Sequence, residues 1–204
     1  MAAPRPPASP KPKAARPVAR PAHEVRIIGG QWKRTRLAVA DKPGLRPTPD
    51  RVRETLFNWL GQDLTGWSCV DAFAGTGALG LEAASRGAAQ VLLVEQDTQL
   101  VDQLRRVQQR LAATTVNVQR GNGISLLQRL APGATDLILL DPPFDAGLHD
   151  KALAAAVPAL SAQGFIYLEA PAAWGEEQLA PFGLALKRHM KAGAVHAHLL
   201  QRAS

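Results

Sequence analysis

Val70-Asp71-Ala72-Phe73-Ala74-Gly75-Thr76-Gly77-Ala78-Leu79-Gly80 is the stretch whose reading decides the fold. An apolar run from Cys69 to Ala72 carries an acid near its end, a glycine turn follows, and a helical pattern opens at Ala78. Strand, tight turn and helix form the unit of an α/β sheet. Ligands of such sheets sit outside the carboxyl ends of the strands, where small residues let the backbone come close. Asp71, Phe73, Gly75 and Gly77 are therefore candidate ligand contacts. A Gly-x-Gly turn can also do no more than pack a helix on a strand, and the next strand tips the balance. Leu92-Leu93-Val94-Glu95 ends in a carboxylate about 20 residues beyond the glycines, where an acid accepts hydrogen bonds from a ribose diol. Gln96 follows it. The third strand runs into Gly121-Asn122-Gly123, where Asn122 either reaches an adenine edge or caps a helix.

Outward from this stretch the pattern repeats. Strands are predicted at 69–72, 91–95, 116–119, 136–140 and 164–169, with helices at 78–86, 97–112, 123–130 and 148–160. Such alternation builds a mostly parallel sheet with helices on both faces. Two further strands, 182–190 and 194–201, flank Ala192-Gly193 and close the sheet as a hairpin. The single cysteine, Cys69, excludes an internal disulfide and receives no chemical role; no metal site is expected. Apolar runs such as Leu137 to Leu140 are too short to span a bilayer, so no membrane role is expected. The first 24 residues, broken by seven prolines, lack the apolar core of a secretory signal, and a cytoplasmic location is expected.

Charge is concentrated at one end of the chain. Residues 1–24 carry net +4 and residues 25–53 net +6, whereas residues 54–204 carry net −3. A polyanion is the natural partner for the first quarter of the chain, although a Pro/Ala/Lys tail is also a common solvated appendage. Val25 to Ile28 and Gln31 to Lys33, joined by Gly29-Gly30, read as a basic β-hairpin. Thr48 is the predicted N-cap of a helix with Pro49 at its first position and Gly61 beyond its end. Val52, Leu56, Phe57 and Leu60 share its apolar face, with Arg51, Arg53 and Glu54 opposite. Trp32, Trp59 and Trp67 read as core more readily than as base-stacking residues.

The cofactor class follows from the glycine turn. Asp-x-x-x-Gly-x-Gly lacks the third glycine of a dinucleotide fingerprint, and Asp71 would repel a pyrophosphate but suits a cationic amine. S-adenosylmethionine fits that acid better. The fourth strand then ends in Asp141-Pro142-Pro143-Phe144. Two prolines lack N–H donors and restrict φ, so the turn is rigid and its oxygens are not consumed locally. An Asp141 carboxylate oxygen and the Pro142 carbonyl are acceptors, and their natural guest is an NH₂ group with two donors. Phe144 would stack on the base carrying it. A base must be single-stranded or flipped out to enter such a site.

These residues bring a family resemblance into view. Arg26-Ile27-Ile28-Gly29-Gly30-Gln31-Trp32, Leu45-Arg46-Pro47-Thr48, Asp50-Arg51-Val52-Arg53-Glu54-Thr55-Leu56-Phe57-Asn58-Trp59-Leu60, the glycine turn and Asp141 to Phe144 resemble the bacterial RsmD family over about residues 25–202. The resemblance implies a Rossmann-like class I methyltransferase with a mostly parallel seven-stranded sheet, preceded by an N-terminal hairpin and helix. It implies methylation of guanine N2 in 16S ribosomal RNA from S-adenosylmethionine, on the 30S subunit or its assembly intermediate, by a monomer. It places Asp71, Phe73, Gly75, Gly77, Glu95, Gln96, Asn122 and Gly123 at the cofactor, and Asp141, Pro142, Pro143 and Phe144 at the guanine amine. Arg26, Lys33, Arg34, Arg36, Arg46, Thr48, Arg51 and Arg53 would meet RNA. The expected organisation is a disordered tail at 1–24, an RNA-contacting extension at 25–62 and the methyltransferase domain at 63–204. Residues 33–36 depart from the pattern, reading Lys-Arg-Thr-Arg where a glycine is expected, and residues 1–24 lie outside it. DNA amine or protein-glutamine methylation, and a non-enzymatic RNA-binding assembly factor, are the competing readings.

Overall fold

The chain alternates strand and helix as its periodicity demands. The computed structural model describes residues 23–40, 42, 48–144 and 147–203. A two-stranded ribbon, β1 (His23–Arg26) and β2 (Arg36–Val39), precedes α1 (Asp50–Trp59). The main sheet then follows with β3 (Ser68–Asp71), α2 (Ala78–Ser85), β4 (Gln90–Glu95), α3 (Thr98–Arg110), β5 (Val116–Arg120), α4 (Gly123–Leu127), β6 (Thr135–Leu140), α5 (His149–Ala159) and β7 (Leu160–Ala170). After α6 (Glu176–Leu179), the antiparallel pair β8 (Leu184–Ala192) and β9 (Val195–Arg202) completes it.

The seven strands lie in the order β5-β4-β3-β6-β7-β9-β8. The first five in that order pair in parallel, and β9 pairs antiparallel with both β7 and β8. Neighbouring residues along each strand enter different cores, as a period of two requires. Cys69, Leu93, Leu137, Leu139 and Tyr167 pack with α1, α2 and α3, while Val70, Val94, Ile138, Leu140 and Leu168 pack with α4, α5 and α6. Helices thus cover both faces. The strand order reverses between β3 and β6, and chain leaves the carboxyl ends of both strands there, opening a crevice.

The N-terminal segment shares the first core. Val25, Ile27, Leu37, Val39, Val52, Leu56 and Phe57 are buried together with Leu79, Leu81 and Leu104. The hairpin differs from its sequence reading: Gln31 to Arg34 form the turn, and the second strand is Arg36–Val39 rather than Gln31 to Lys33. Gly29-Gly30 is a docking point instead. Both oxygens of Glu82 accept amide hydrogens, from Ile28 and Gly29, each at 2.7 Å, and the Gln31 amide donates to the Ser85 carbonyl at 2.8 Å. Gly30 has φ +70°, and a Cβ there would lie 1.8 Å from the Ser85 carbonyl oxygen, so only glycine permits the approach. The glycine missing from residues 33–36 has a counterpart in Arg34, which adopts φ 71° in the turn.

Helix α1 also departs from expectation. Its N-cap is Pro49, and the Thr48 hydroxyl donates 2.6 Å to Glu169 in the buried interior instead of capping the helix. Arg53, expected on the outer face, is 0% exposed. Its guanidinium meets Asp50 Oδ1 at 2.6 Å, the Arg26 carbonyl at 2.8 Å and Glu82 at 3.4 Å. The amphipathic pattern of α1 presumes solvent behind it, but the ribbon and α2 close over that face. Arg46 and the tail through residue 22 lie outside the described residues.

Candidate active site

The carboxyl ends of β3, β4, β6 and β7 meet around a cavity of about 490 Å³. That is in the size range of small-molecule sites, about 300–1,000 Å³. Asp71, Phe73, Gly75, Glu95, Gln96, Asn122 and Gly123 line the cavity, and so do Asp141, Pro142, Pro143 and Phe144. Two groups of residues, far apart in the chain, thus share one space. Gly77 is the exception: it does not line the cavity. With φ +79° it sits at the N-cap of α2, where a Cβ would meet Leu104 Cδ2 at 2.6 Å, so a glycine there lets α2 pack close against α3.

Asp71 closes the inner end. It is 1% exposed; Oδ2 accepts from the Gly80 amide at 3.0 Å, and Oδ1 is buried without a hydrogen-bond partner. Burial pushes its pKa up to about 7 against the opposing pull of the nearby Gly80 and Phe73 amides, and the charges of Glu95 and Glu169 add to the rise. A buried acceptor in that state is relieved by a cationic or hydrogen-donating guest. Glu95 is held rigidly: Oε2 accepts from the Gly75 amide at 3.0 Å and Oε1 from the Asp97 amide at 2.8 Å. Each oxygen retains capacity for a second donor, as a diol would supply. Asn122 caps α4, its Oδ1 accepting from the Ser125 amide at 3.0 Å, while lining the mouth of the cavity.

At the other end, the Phe144 ring is backed by His149, centroids 6.1 Å apart and planes at 42°, and His149 by Trp174 at 6.3 Å. This aromatic buttress holds the ring at the cavity edge. Thr76, Pro49, Leu148 and Glu169 are among the further lining residues that escaped the sequence reading. Glu169 is 2% exposed, and its Oε1 accepts hydrogen bonds from Thr48 at 2.6 Å and Tyr167 at 2.8 Å. Burial, then the Glu169 charge, raises Tyr167 well above its usual pKa, so its hydroxyl keeps the proton it donates. An acid closing an apolar strand was the available signal for Glu169, the same one that marked Asp71 and Glu95. Thr48, read as a helix cap and RNA contact, is a buried wall of this cavity.

The family model described as "Conserved hypothetical protein 95" matches residues 25–201. Over 182 residues the chain is 42% identical to ribosomal RNA small subunit methyltransferase D of Escherichia coli strain K12, spanning 88% of this chain and 90% of that protein. The chain belongs to the RsmD family. The solved structure of yhhF from Escherichia coli superposes on this RsmD-family chain with TM-score 0.76 at 40% identity, covering 89% of this chain and 99% of that one. A precorrin-6y C5,15-methyltransferase from Geobacter metallireducens, 18% identical, shares the fold with TM-score 0.65 over 82% of this chain and 93% of its own. The architecture is that of the class I methyltransferases.

Exposure separates the basic residues of this RsmD-family extension. Arg26, Lys33, Arg34, Arg36 and Arg51 are exposed, Arg26 beside Asp50 and Arg36 beside Glu24. Both pairs are solvent-exposed and hold their partners weakly. Arg53 and Thr48 are enclosed by protein and present no surface to RNA.

Proposed function

We propose that this protein transfers a methyl group from S-adenosylmethionine to the exocyclic N2 amine of a guanine in 16S ribosomal RNA, on the 30S subunit or its assembly intermediate. The observation carrying the reading is that Asp141-Pro142-Pro143-Phe144 and the buried acid Asp71 line one cavity at the carboxyl edge of the sheet. Similarity to a ribosomal RNA small subunit methyltransferase supplies the substrate class.

The residues fit the cofactor. Asp71 Oδ1, buried and unpartnered, would accept from its methionine ammonium, and Glu95 from the ribose hydroxyls. Gly75, Gln96, Asn122 and Gly123 would border the adenosine. The cofactor supplies a methyl on a sulfonium, which passes to nitrogen as the carbon–sulfur bond breaks. Asp141 and the Pro142 carbonyl would each accept one amine hydrogen, turning the nitrogen lone pair out of conjugation and toward the donor. Phe144 would stack on the guanine and hold it in line. Such positioning can contribute about 7–11 kcal/mol. The surplus proton leaves the nitrogen for solvent after transfer. The exposed cations of residues 25–62 would grip RNA phosphates beside the methyltransferase domain, residues 63–204.

The test uses methyl-labelled cofactor, 30S particles or 16S RNA, and nucleoside analysis of the product. Wild type is expected to yield N2-methylguanosine, and Asp141→Ala to retain cofactor binding while losing transfer. Label on adenine, cytosine or protein, or none at all, overturns the reading.

A further inference from the structure

Glu169 stands where a second base-reading group is needed. In the parallel pairing of β6 with β7, Leu140 lies opposite Leu168. The next residue on each chain is an acid: Asp141 just past the end of β6 and Glu169 still within β7, side by side on neighbouring strands about 4.8 Å apart. Both line the same cavity. The Thr48 and Tyr167 hydroxyls, at 2.6 and 2.8 Å, fix the Glu169 carboxylate from the protein side. Both bonds fall on Oε1, and a carboxylate offers about four lone-pair sites in all.

Base chemistry gives that arrangement a meaning. Guanine presents its N2 amine beside an N1–H, two donor positions in a row. The amine of adenine is flanked by lone pairs at N1 and N7, and that of cytosine by a lone pair at N3. A protein glutamine amide carries a carbonyl oxygen beside its NH₂. Only guanine meets two adjacent acidic groups with hydrogens throughout; the others would turn a lone pair toward a carboxylate.

Resting on the guanine-N2 reading above, we propose that Glu169 is a specificity-determining residue that accepts the N1–H of the target guanine while Asp141 and Pro142 hold its amine. Thr48 and Tyr167 are positioning residues for that carboxylate. The N-terminal extension thereby joins in base selection from within the protein as well as in RNA contact.

The test compares guanine with 2-aminopurine, which keeps the 2-amine but has a lone pair at N1. Once the methylated nucleotide is mapped, 30S particles are reconstituted from ligated 16S RNA carrying either base there, and kcat/KM is measured with each. Wild type is expected to prefer guanine by about 10²-fold or more. Glu169→Gln, whose carboxamide can turn either a donor or an acceptor to N1, is expected to bring the ratio within about tenfold of unity. Tyr167→Phe removes one orienting hydroxyl and is expected to lower the ratio severalfold; it carries the test if Glu169→Gln fails to fold, as judged by calorimetric cofactor binding. A purely structural role lowers both activities by the same factor and leaves the ratio unchanged, which overturns the proposal. Equal wild-type rates on the two bases also overturn it while leaving guanine-N2 methylation standing. Absence of N2 label on guanine-containing particles instead removes the underlying reading.

Discussion

Arg53 and Glu82 form an ion pair, Nη1 to Oε2 at 3.4 Å, in which neither side chain has any exposure. Glu82 also accepts the Ile28 and Gly29 amides and an Arg86 contact at 2.9 Å, and Arg53 donates to the carbonyls of Thr48 and Arg26. The pair therefore ties the ribbon, α1 and α2 into one polar knot beneath the exposed basic surface. Burial draws the Arg53 pKa below its usual value, opposed by the charges of Glu82 and Asp50. Breaking a buried pair by removing one partner costs about 3–5 kcal/mol, because the other charge is left uncompensated. Glu82→Ala and Arg53→Ala are each expected to destabilise to that degree in urea unfolding, and the double variant by less than the sum. Strict additivity would show that the two residues do not act as a pair.

Arg34 supplies a separable stability and binding effect. A non-glycine residue at φ 71° carries strain of about 1–2 kcal/mol, offset in a glycine variant by the greater freedom of the unfolded chain. Arg34→Gly is expected to leave stability unchanged or raise it by up to about 1 kcal/mol, whereas Arg34→Ala keeps the strain. Both should weaken RNA binding and reduce its salt slope by about 1 if Arg34 meets a phosphate. Thermal melts and filter binding at several salt concentrations check the two halves independently.

The raised pKa of Asp71 has a defined sign in pH. Its folded value of about 7 exceeds the ordinary 3.8, so between those values the folded chain holds a proton that the unfolded chain has lost. Stability of the cofactor-free protein from this group is therefore present at low pH and declines as pH rises from 3.8 through about 7. Asp71→Asn is expected to remove that decline. Affinity for a cationic cofactor should move oppositely, rising with pH as the carboxylate ionises, and become flat in Asp71→Asn. Urea midpoints and calorimetry across pH 5–8 measure both; parallel curves for wild type and variant would contradict the assignment.

Phe144 is backed by His149 but packs its ring on the cavity, so its loss should reach substrate more than fold. Base–aromatic stacking contributes about 1–3 kcal/mol per base, a factor of roughly 5 to 150 in affinity. Phe144→Ala is expected to reduce kcat/KM on RNA by at least that factor with cofactor affinity intact, and Phe144→Tyr to preserve most activity. An alanine variant that loses cofactor binding equally would place the ring elsewhere in the reaction.

The amino-acid order alone determined the strand–helix alternation, the closing hairpin and the placement of Asp71, Glu95 and Asp141 at strand ends, because period and turn chemistry act over a few residues. It also specified the rigid Pro142-Pro143 corner, since restricted φ and missing N–H groups are local properties. Three features were decided only by the tertiary structure. Arg53 lies on the polar side of α1 in any helical projection, and its burial depends on Glu82, 29 positions away. Gly29-Gly30 reads as a hairpin turn until Ser85 comes within contact of it. Glu169 becomes a wall of the site only when β7 lies beside β6 and Thr48 reaches it across 121 positions. Local rules say which backbone conformation a residue favours; which distant polar group satisfies it once buried is settled by packing, where solvent is excluded and every donor must find its acceptor.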